Sequence, residues 1–204
     1  NLFGLYLAIH KDKRALQQVH NSRILRNFIK DMFMARGEPI QAGIQAADLI
    51  RQGIPAVAYH GSHLGLITDV NFQNANPVAD ATRLMRDRLF QLELHQRKTR
   101  SFHTPVIAGY AALTEGSLDT ILGVDLPSDI KSMLEALSEL GIETTLGRGA
   151  SDLSAAKFGR AIDCPVYIWT DVPGLYDGTP GIITDTKILN QVSYDEGFQL
   201  ATHG

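Results

Sequence analysis

Four short apolar runs, at residues 54–59, 64–68, 104–109 and 165–170, alternate with longer stretches whose apolar residues recur at three- and four-residue steps. Runs this short suit strands inside a sheet, and strands separated by helices pair in parallel because each helix carries the chain back across the sheet. The alternation predicts an α/β fold, with 54–59 and 165–170 as buried strands of a mainly parallel sheet. With 204 residues, 44% apolar and 20% charged, the chain reads as a single domain over 1–204.

The helical stretches differ in clarity. Residues 1–10 are apolar enough for a strand or a helix start. From 11 to 35, Leu16, Val19, Ile24, Leu25, Phe28, Ile29 and Phe33 lie on one face of one long helix or two short ones. Residues 1–36 therefore form a helical N-terminal segment whose place in the fold the pattern leaves open. Pro39 suits the first turn of a helix running over 40–52 and closed by Gly53; 79–96 carries an imperfect helical stripe. Pro127-Ser-Asp129 starts another helix, with Ile130, Met133, Leu134, Leu137 and Leu140 on its face and Gly141 after it, and 193–203 reads as a final helix.

Charge and cysteine content narrow the classes of function. A formal charge of −3 without a basic cluster argues against a nucleic-acid or membrane surface, and Arg97-Lys98-Thr99-Arg100 reads as a solvated helix end. Cys164, the single cysteine, excludes an internal disulfide and reads as a small buried side chain before Pro165. No stretch has the roughly 18 consecutive apolar residues of a membrane span, and the N-terminal residues lack the basic lead-in of a signal peptide. A soluble, cytoplasmic protein is expected. His60, His63, His95, His103 and His203 show no metal-ligand spacing and read as surface or loop residues.

The chemistry concentrates at 144–156, Thr-Thr-Leu-Gly-Arg-Gly-Ala-Ser-Asp-Leu-Ser-Ala-Ala. Gly147 and Gly149 bracket Arg148, and Ser151 and Asp152 stand where a helix would begin. Glycines let a backbone approach a ligand closely, and a helix start turns unpaired N–H groups toward it, so with an arginine in the loop this is an anion-binding site in outline. Taken alone, such a string is more often an ordinary turn capped by Ser or Asp.

Two later blocks change that balance. They are Ile168-Trp-Thr-Asp-Val-Pro-Gly-Leu-Tyr176 and Ser193-Tyr-Asp-Glu-Gly-Phe-Gln-Leu-Ala201. With the loop, and with Gly37-Glu38, Gly65-Leu-Ile-Thr-Asp69 and Pro105-Val-Ile-Ala-Gly-Tyr110 upstream, the chain closely resembles aspartokinases of the amino acid kinase family. Their blocks read T-T-L-G-R-G-G-S-D-x-S-A, T-D-V-D-G-V-Y-T-x-D-P-R and L-S-Y-x-E-A-x-E-L-A. The resemblance implies an αβα sandwich in which ATP, with Mg²⁺, donates its γ-phosphoryl group to the side-chain carboxylate of L-aspartate, the first step of lysine, threonine and methionine biosynthesis. It further implies that Arg148 and Asp152 are the catalytic pair. Arg148 would grip a substrate carboxylate with two prongs, and Asp152 would hold the amino group or orient cations. Glu38, Gly149 and Ser151 would complete the substrate site. Thr170, Asp171 and Tyr176 would surround ATP, with Lys187 neutralising its phosphates; no protein-only metal site is implied, and a homodimer is the expected assembly.

Four departures qualify the match. The family's opening K-F-G-G-T-S is not found here, which leads to the expectation of an N-terminal part truncated or rebuilt and of a chain that binds ligands without fast turnover. Ala150 stands for a family glycine, Thr179-Pro180-Gly181 for D-P-R, and residues 120–143 read as an insertion carrying a helix. The family's regulatory domains would begin beyond Gly204. Two other readings stay open: a non-catalytic fragment or assembly module of the same fold, and a kinase of the superfamily acting on glutamate, N-acetylglutamate or UMP.

Overall fold

The computed structural model describes residues 2–114, 123, 125–138, 141–147, 149–179 and 181–203. The N-terminal residues form three consecutive helices, α1 (Leu2–Lys11), α2 (Lys13–Asn21) and α3 (Arg23–Met34). What divides the long helical pattern is capping. Asp12 accepts the backbone N–H groups of Arg14 and Ala15 at 2.8 and 2.9 Å, and Ser22 Oγ accepts that of Leu25 at 3.2 Å. Each polar side chain satisfies donors that a helix start leaves unpaired, so the chain turns at both places. Helix α4 (Gly37–Arg51) follows, with Pro39 inside its first turn as its missing N–H allows.

Then come β1 (Ala56–His60), a 3₁₀ turn at Gly61–Leu64, β2 (Ile67–Thr68), α5 (Ala81–Thr99), β3 (Thr104–Ala108) and β4 (Ala111–Thr114). They are followed by α6 (Ser128–Ser138), β5 (Ile142–Thr145), α7 (Ala150–Ile162) and α8 (Tyr194–His203). β1 pairs in parallel with β3, Ala56 opposite Thr104, and β2 in parallel with β4. β4 and β5 are antiparallel, with Ala111 opposite Thr145 and Thr114 opposite Ile142. Parallel pairing dominates as expected, but neither member of the antiparallel pair was expected as a strand. Ala-Ala-Leu-Thr offers only two alanines and a leucine and Ile-Glu-Thr-Thr a single apolar residue, yet all four residues of β5 are buried.

Two apolar clusters flank these strands. One joins Leu5, Ile9, Leu25, Phe28, Met32, Ile130, Leu134 and Ile142, so α1, α3, α6 and β5 share a core. The other joins Leu64, Leu66, Met85, Ala112, Leu146, Phe158 and Ala161, from α5, α7 and the neighbouring strands. Strands between two helical clusters make the αβα arrangement. Full burial of Leu5, Leu25, Phe28 and Leu134 contributes about 1.5–3 kcal/mol each. The N-terminal helices thus have the place the sequence left open, and α6, inside the stretch read as an insertion, is a core element; residues 120–122, 124, 139 and 140 of that stretch, and 115–119 before it, lie outside the described residues.

The chain divides into two bodies, residues 1–166 and 167–204. Three expectations fail near the boundary and at β1. No strand forms at 165–170, and every residue from 162 to 170 is exposed, Trp169 at 95%. Aromatic and β-branched residues favour a strand only where a neighbouring strand can take up the backbone N–H and C=O groups, and no described strand pairs with this segment. Cys164 is exposed with the rest of that segment, not buried. In β1 only Ala56 is buried, because among the described strands β1 pairs with β3 alone and Val57 and Ala58 stay open. The second body has its own order: Tyr176 bridges Ile188, and α8 begins with a capping box in which Glu196 accepts the Ser193 N–H at 2.7 Å and Ser193 Oγ accepts the Glu196 N–H at 3.3 Å. Among the described residues no helix is long and apolar enough to cross a membrane.

Candidate functional site

The loop between β5 and α7 is built from glycine geometry. Gly147 and Gly149 have φ of 91° and 78°, values that side chains rarely adopt, and Gly149 is the residue that caps α7. Since Gly149 takes that position, Ser151 and Asp152 are not caps. They lie within the first turn of α7, exposed, and Asp152 makes no hydrogen bond or ion pair among the described residues. An open carboxylate beside a helix start is available to a ligand's cationic group or to a metal ion carried by a ligand. Ala150 is helical and its methyl group is buried among Leu146 and Phe158, so this position does not need the family's glycine. Arg148 lies outside the described residues.

Strand β3 ends against the same helix. The Tyr110 N–H donates to Ser154 Oγ at 3.1 Å, and Ser154 Oγ donates to the Ala150 carbonyl at 3.0 Å. The Leu146 N–H donates to the Tyr110 carbonyl at 2.9 Å. Leu146, Tyr110 and the first turns of α7 thus form one hydrogen-bonded unit beneath the loop. Glu38 stands half-buried in the first turn of α4 and, like Asp152, has no hydrogen-bond or ion-pair partner among the described residues.

The remaining expected residues belong to the second body. Thr170 and Asp171 are exposed neighbours, the Thr170 hydroxyl donating to Asp171 Oδ1 at 3.2 Å. Tyr176 is half-buried in a short antiparallel pairing with the stretch that bears Lys187. There the Asp177 N–H donates to the Lys187 carbonyl at 3.0 Å and the Lys187 N–H to Asp177 Oδ1 at 2.7 Å. This pairing fixes the Lys187 backbone while its side chain stays exposed. Pro180 lies outside the described residues.

Sequence reasoning missed a cleft of about 500 Å³ in the first body, lined by Arg36, Ile40, Tyr59, His60, His63 and Glu143 among others. His60, expected at the surface, keeps only 13% of its side chain exposed. Its Nδ1 accepts the Ser62 N–H at 3.3 Å, which leaves Nε2 to carry the proton of the neutral ring. That Nε2 is buried without a hydrogen bond, 4.0 Å from Glu143 Oε1. Arg36 Nη2 lies 3.0 Å from Glu143 Oε2, close enough for an ion pair but not aligned for a hydrogen bond. Burial, with His63 and Arg36 nearby, holds the His60 ring down at about 4, and burial pushes the Glu143 carboxyl up against the opposing pull of Arg36. The signal available in the sequence was Glu143 itself, an acid in a short segment between a helix and the glycine loop.

No group of three or more His, Cys, Asp or Glu among the described residues could hold a metal ion. Magnesium that travels with a nucleotide needs no such cage, because phosphates and water supply most of its ligands and one or two carboxylates suffice. Asp152 in the first body and Asp171 in the second are both exposed, and each singly meets that requirement.

The model of the amino acid kinase family matches residues 6–204. Among curated proteins, the chain is similar to the aspartate kinase Ask_LysC of Stutzerimonas stutzeri, 28% identical over 178 residues that cover 85% of this chain and 34% of that protein. It is likewise similar to aspartokinase 1 of Bacillus subtilis, 28% identical over 176 residues, 86% of this chain and 35% of that protein. The chain therefore spans about a third of the length of these relatives. Among solved structures, E. coli aspartokinase III in complex with aspartate and ADP superposes with a TM-score of 0.65 at 21% identity, over 94% of this chain and 38% of that one. That superposition shows the fold, and the family match takes in nearly every residue from α1 to α8. The chain belongs to the amino acid kinase family.

Proposed function

We propose that the chain is the substrate- and nucleotide-binding part of an aspartate kinase, which transfers the γ-phosphoryl group of ATP to the side-chain carboxylate of L-aspartate. The observation that carries this is the glycine loop: two positive-φ glycines open directly onto α7, with Ser151 and Asp152 exposed in its first turn. The similar curated proteins are aspartate kinases, and the superposed E. coli enzyme holds aspartate and ADP.

The chemistry asks for positioning above all. A carboxylate oxygen of aspartate forms a bond to the γ-phosphorus while the bond from that phosphorus to the bridging oxygen breaks, and ADP leaves with the electron pair. The nucleophile is already an anion at neutral pH, so no general base is needed. What is needed is alignment and neutralisation of charge. We assign Arg148 to a substrate carboxylate, together with the backbone N–H groups of Gly149 and Ser151, and Asp152 and Glu38 to the substrate's ammonium group. Thr170, Asp171 and Tyr176 take the nucleotide, and Lys187 its phosphates. Magnesium, when bound, supplies further neutralisation of the phosphate oxygens. A cytoplasmic homodimer is the expected form, which light scattering on the purified chain would check.

The test is ligand binding followed by turnover. L-aspartate and ATP with Mg²⁺ should each raise the melting temperature, and glutamate, N-acetylglutamate and UMP should not. In an assay coupled to ADP release, Arg148→Ala should lower any aspartate-dependent rate by roughly a hundredfold or more. Absence of a thermal shift with both ligands, or a preference for UMP, would sink the proposal; binding without turnover would mark this chain as a binding part only.

A further inference from the structure

Asp31 is fully buried in α3, and its carboxylate is surrounded by donors. Oδ2 accepts the backbone N–H of Gln73 at 2.9 Å and that of Thr145 at 3.0 Å. Oδ1 accepts the Thr145 hydroxyl at 2.6 Å and the side-chain amide of Gln73. One side chain therefore joins α3, the loop after β2 and the last residue of β5.

What lies on either side of this junction gives it consequence. Past Thr145 the chain runs directly into Leu146, Gly147 and the start of α7. The loop after β2 grips the same stretch a second time, the Ala75 N–H donating to the Thr145 carbonyl at 2.9 Å. The same loop also lies close against Gly147, where an added side chain would begin 2.8 Å from Asn74 Oδ1, so only glycine fits. Gln73 holds this position at a φ of 70°, a conformation that costs a non-glycine residue energy and persists only where surroundings impose it. On the other side, the Ala35 N–H donates to the Asp31 carbonyl at 2.8 Å, and the chain passes from there into the α4 turn that bears Glu38.

Apolar side chains could join three segments with less desolvation than a buried carboxylate requires. They could not set the direction of a backbone N–H, whereas charge-assisted hydrogen bonds do. We propose that Asp31 is a positioning residue: by fixing the backbone at Thr145 and Gln73 it presents Gly147 and the start of α7, Gly149 to Asp152, to the carboxylate and ammonium groups of L-aspartate. This rests on the aspartate kinase proposal above. Asp31 touches no substrate and acts through Thr145.

The test uses the intact chain with Asp31→Asn, Thr145→Val and Thr145→Ser, at a temperature where circular dichroism shows each variant folded. Calorimetric titration with L-aspartate and separately with ATP and Mg²⁺ is combined with hydrogen exchange of the peptide spanning 145–154. Asp31→Asn and Thr145→Val should weaken aspartate binding by about tenfold or more, leave ATP binding within about twofold, and speed exchange in the loop. Thr145→Ser, which keeps the hydroxyl, should behave as wild type. A lowered melting temperature with aspartate affinity and loop exchange unchanged would overturn the positioning role and leave Asp31 a fold stabiliser. Equal loss of both ligands would do the same. If the wild-type chain binds no aspartate, the aspartate kinase proposal fails instead, and loop exchange alone decides: faster in Thr145→Val upholds the positioning role, unchanged overturns it. Should Asp31→Asn fail to fold, the Thr145 pair carries the comparison.

Discussion

Asp31 and Glu143 are both carboxylates withdrawn from water beside the same strand, at 0% and 8% exposure, and their surroundings are opposite. Asp31 meets two backbone N–H groups, a hydroxyl and an amide. Among the described residues Glu143 meets only an ill-aligned Arg36 and a His60 ring too far for a hydrogen bond. Backbone donors are held in place by the fold, so they cost little further ordering to use. The Arg36 side chain is half exposed and must be ordered to serve. A buried acid is therefore a fixed joint in one place and a poorly solvated charge in the other.

The largest expected effect comes from the joint. Asp31→Ala leaves the Thr145 N–H and hydroxyl buried without an acceptor and strips the partly buried Gln73 N–H of its partner, and should cost about 3–5 kcal/mol in equilibrium urea unfolding. A loss under about 1 kcal/mol would erase the contrast between the two acids.

The cleft should show itself through pH. The His60 ring titrates at about 4 in the folded chain against 6.5 in the unfolded one. Between these values the unfolded chain takes up a proton that the folded chain refuses. Stability should therefore fall as pH drops through that window and level off below it, by about 2 kcal/mol once solvent reaching the cleft is allowed for. Glu143 acts in the other direction. Its raised folded value means that stability falls as pH rises from the ordinary carboxylate range toward that value. Unfolding midpoints at intervals from pH 4 to 7 should show the His60 slope flattened in His60→Gln; an unchanged slope would place its origin elsewhere.

The smallest effect is at Glu143 itself. Glu143→Gln removes a poorly solvated charge together with a misaligned ion pair, so its stability at neutral pH should change by less than about 1 kcal/mol in either direction. A cost approaching that of Asp31→Ala would show that the pairing with Arg36 is tighter in solution than 3.0 Å without alignment suggests.

Much of this could be read before folding was considered. Apolar spacing marked the helical stretches 11–35, 79–96 and that starting at 128, and Pro39 and Gly53 marked α4, whereas the break at Ser22 and the cap of α7 at Gly149 in place of Ser151 or Asp152 came from the structure. The fold class followed from the alternation of runs. The Gly-Arg-Gly-Ala-Ser-Asp string marked the loop that joins β5 to α7. Asp31 left a trace that could have been followed: it stands on the buried stripe Leu25, Phe28, Met32 and Ala35, where an acid is out of place unless it has partners. Residues 165–170 misled because strand propensity describes a residue's fit to a sheet and says nothing about whether a neighbouring strand is there.

By itself the sequence determined most of the helical segments after residue 10, where the glycine loop lies, and the family to which the chain belongs, because helical period and glycine placement are set within a few residues of chain. Only the tertiary structure decided that Asp31 reaches Thr145, that His60 and Glu143 lose water together, and that Trp169 keeps it. Burial and hydrogen bonding at these positions depend on partners far away in the chain, and no local pattern carries the address of a distant partner.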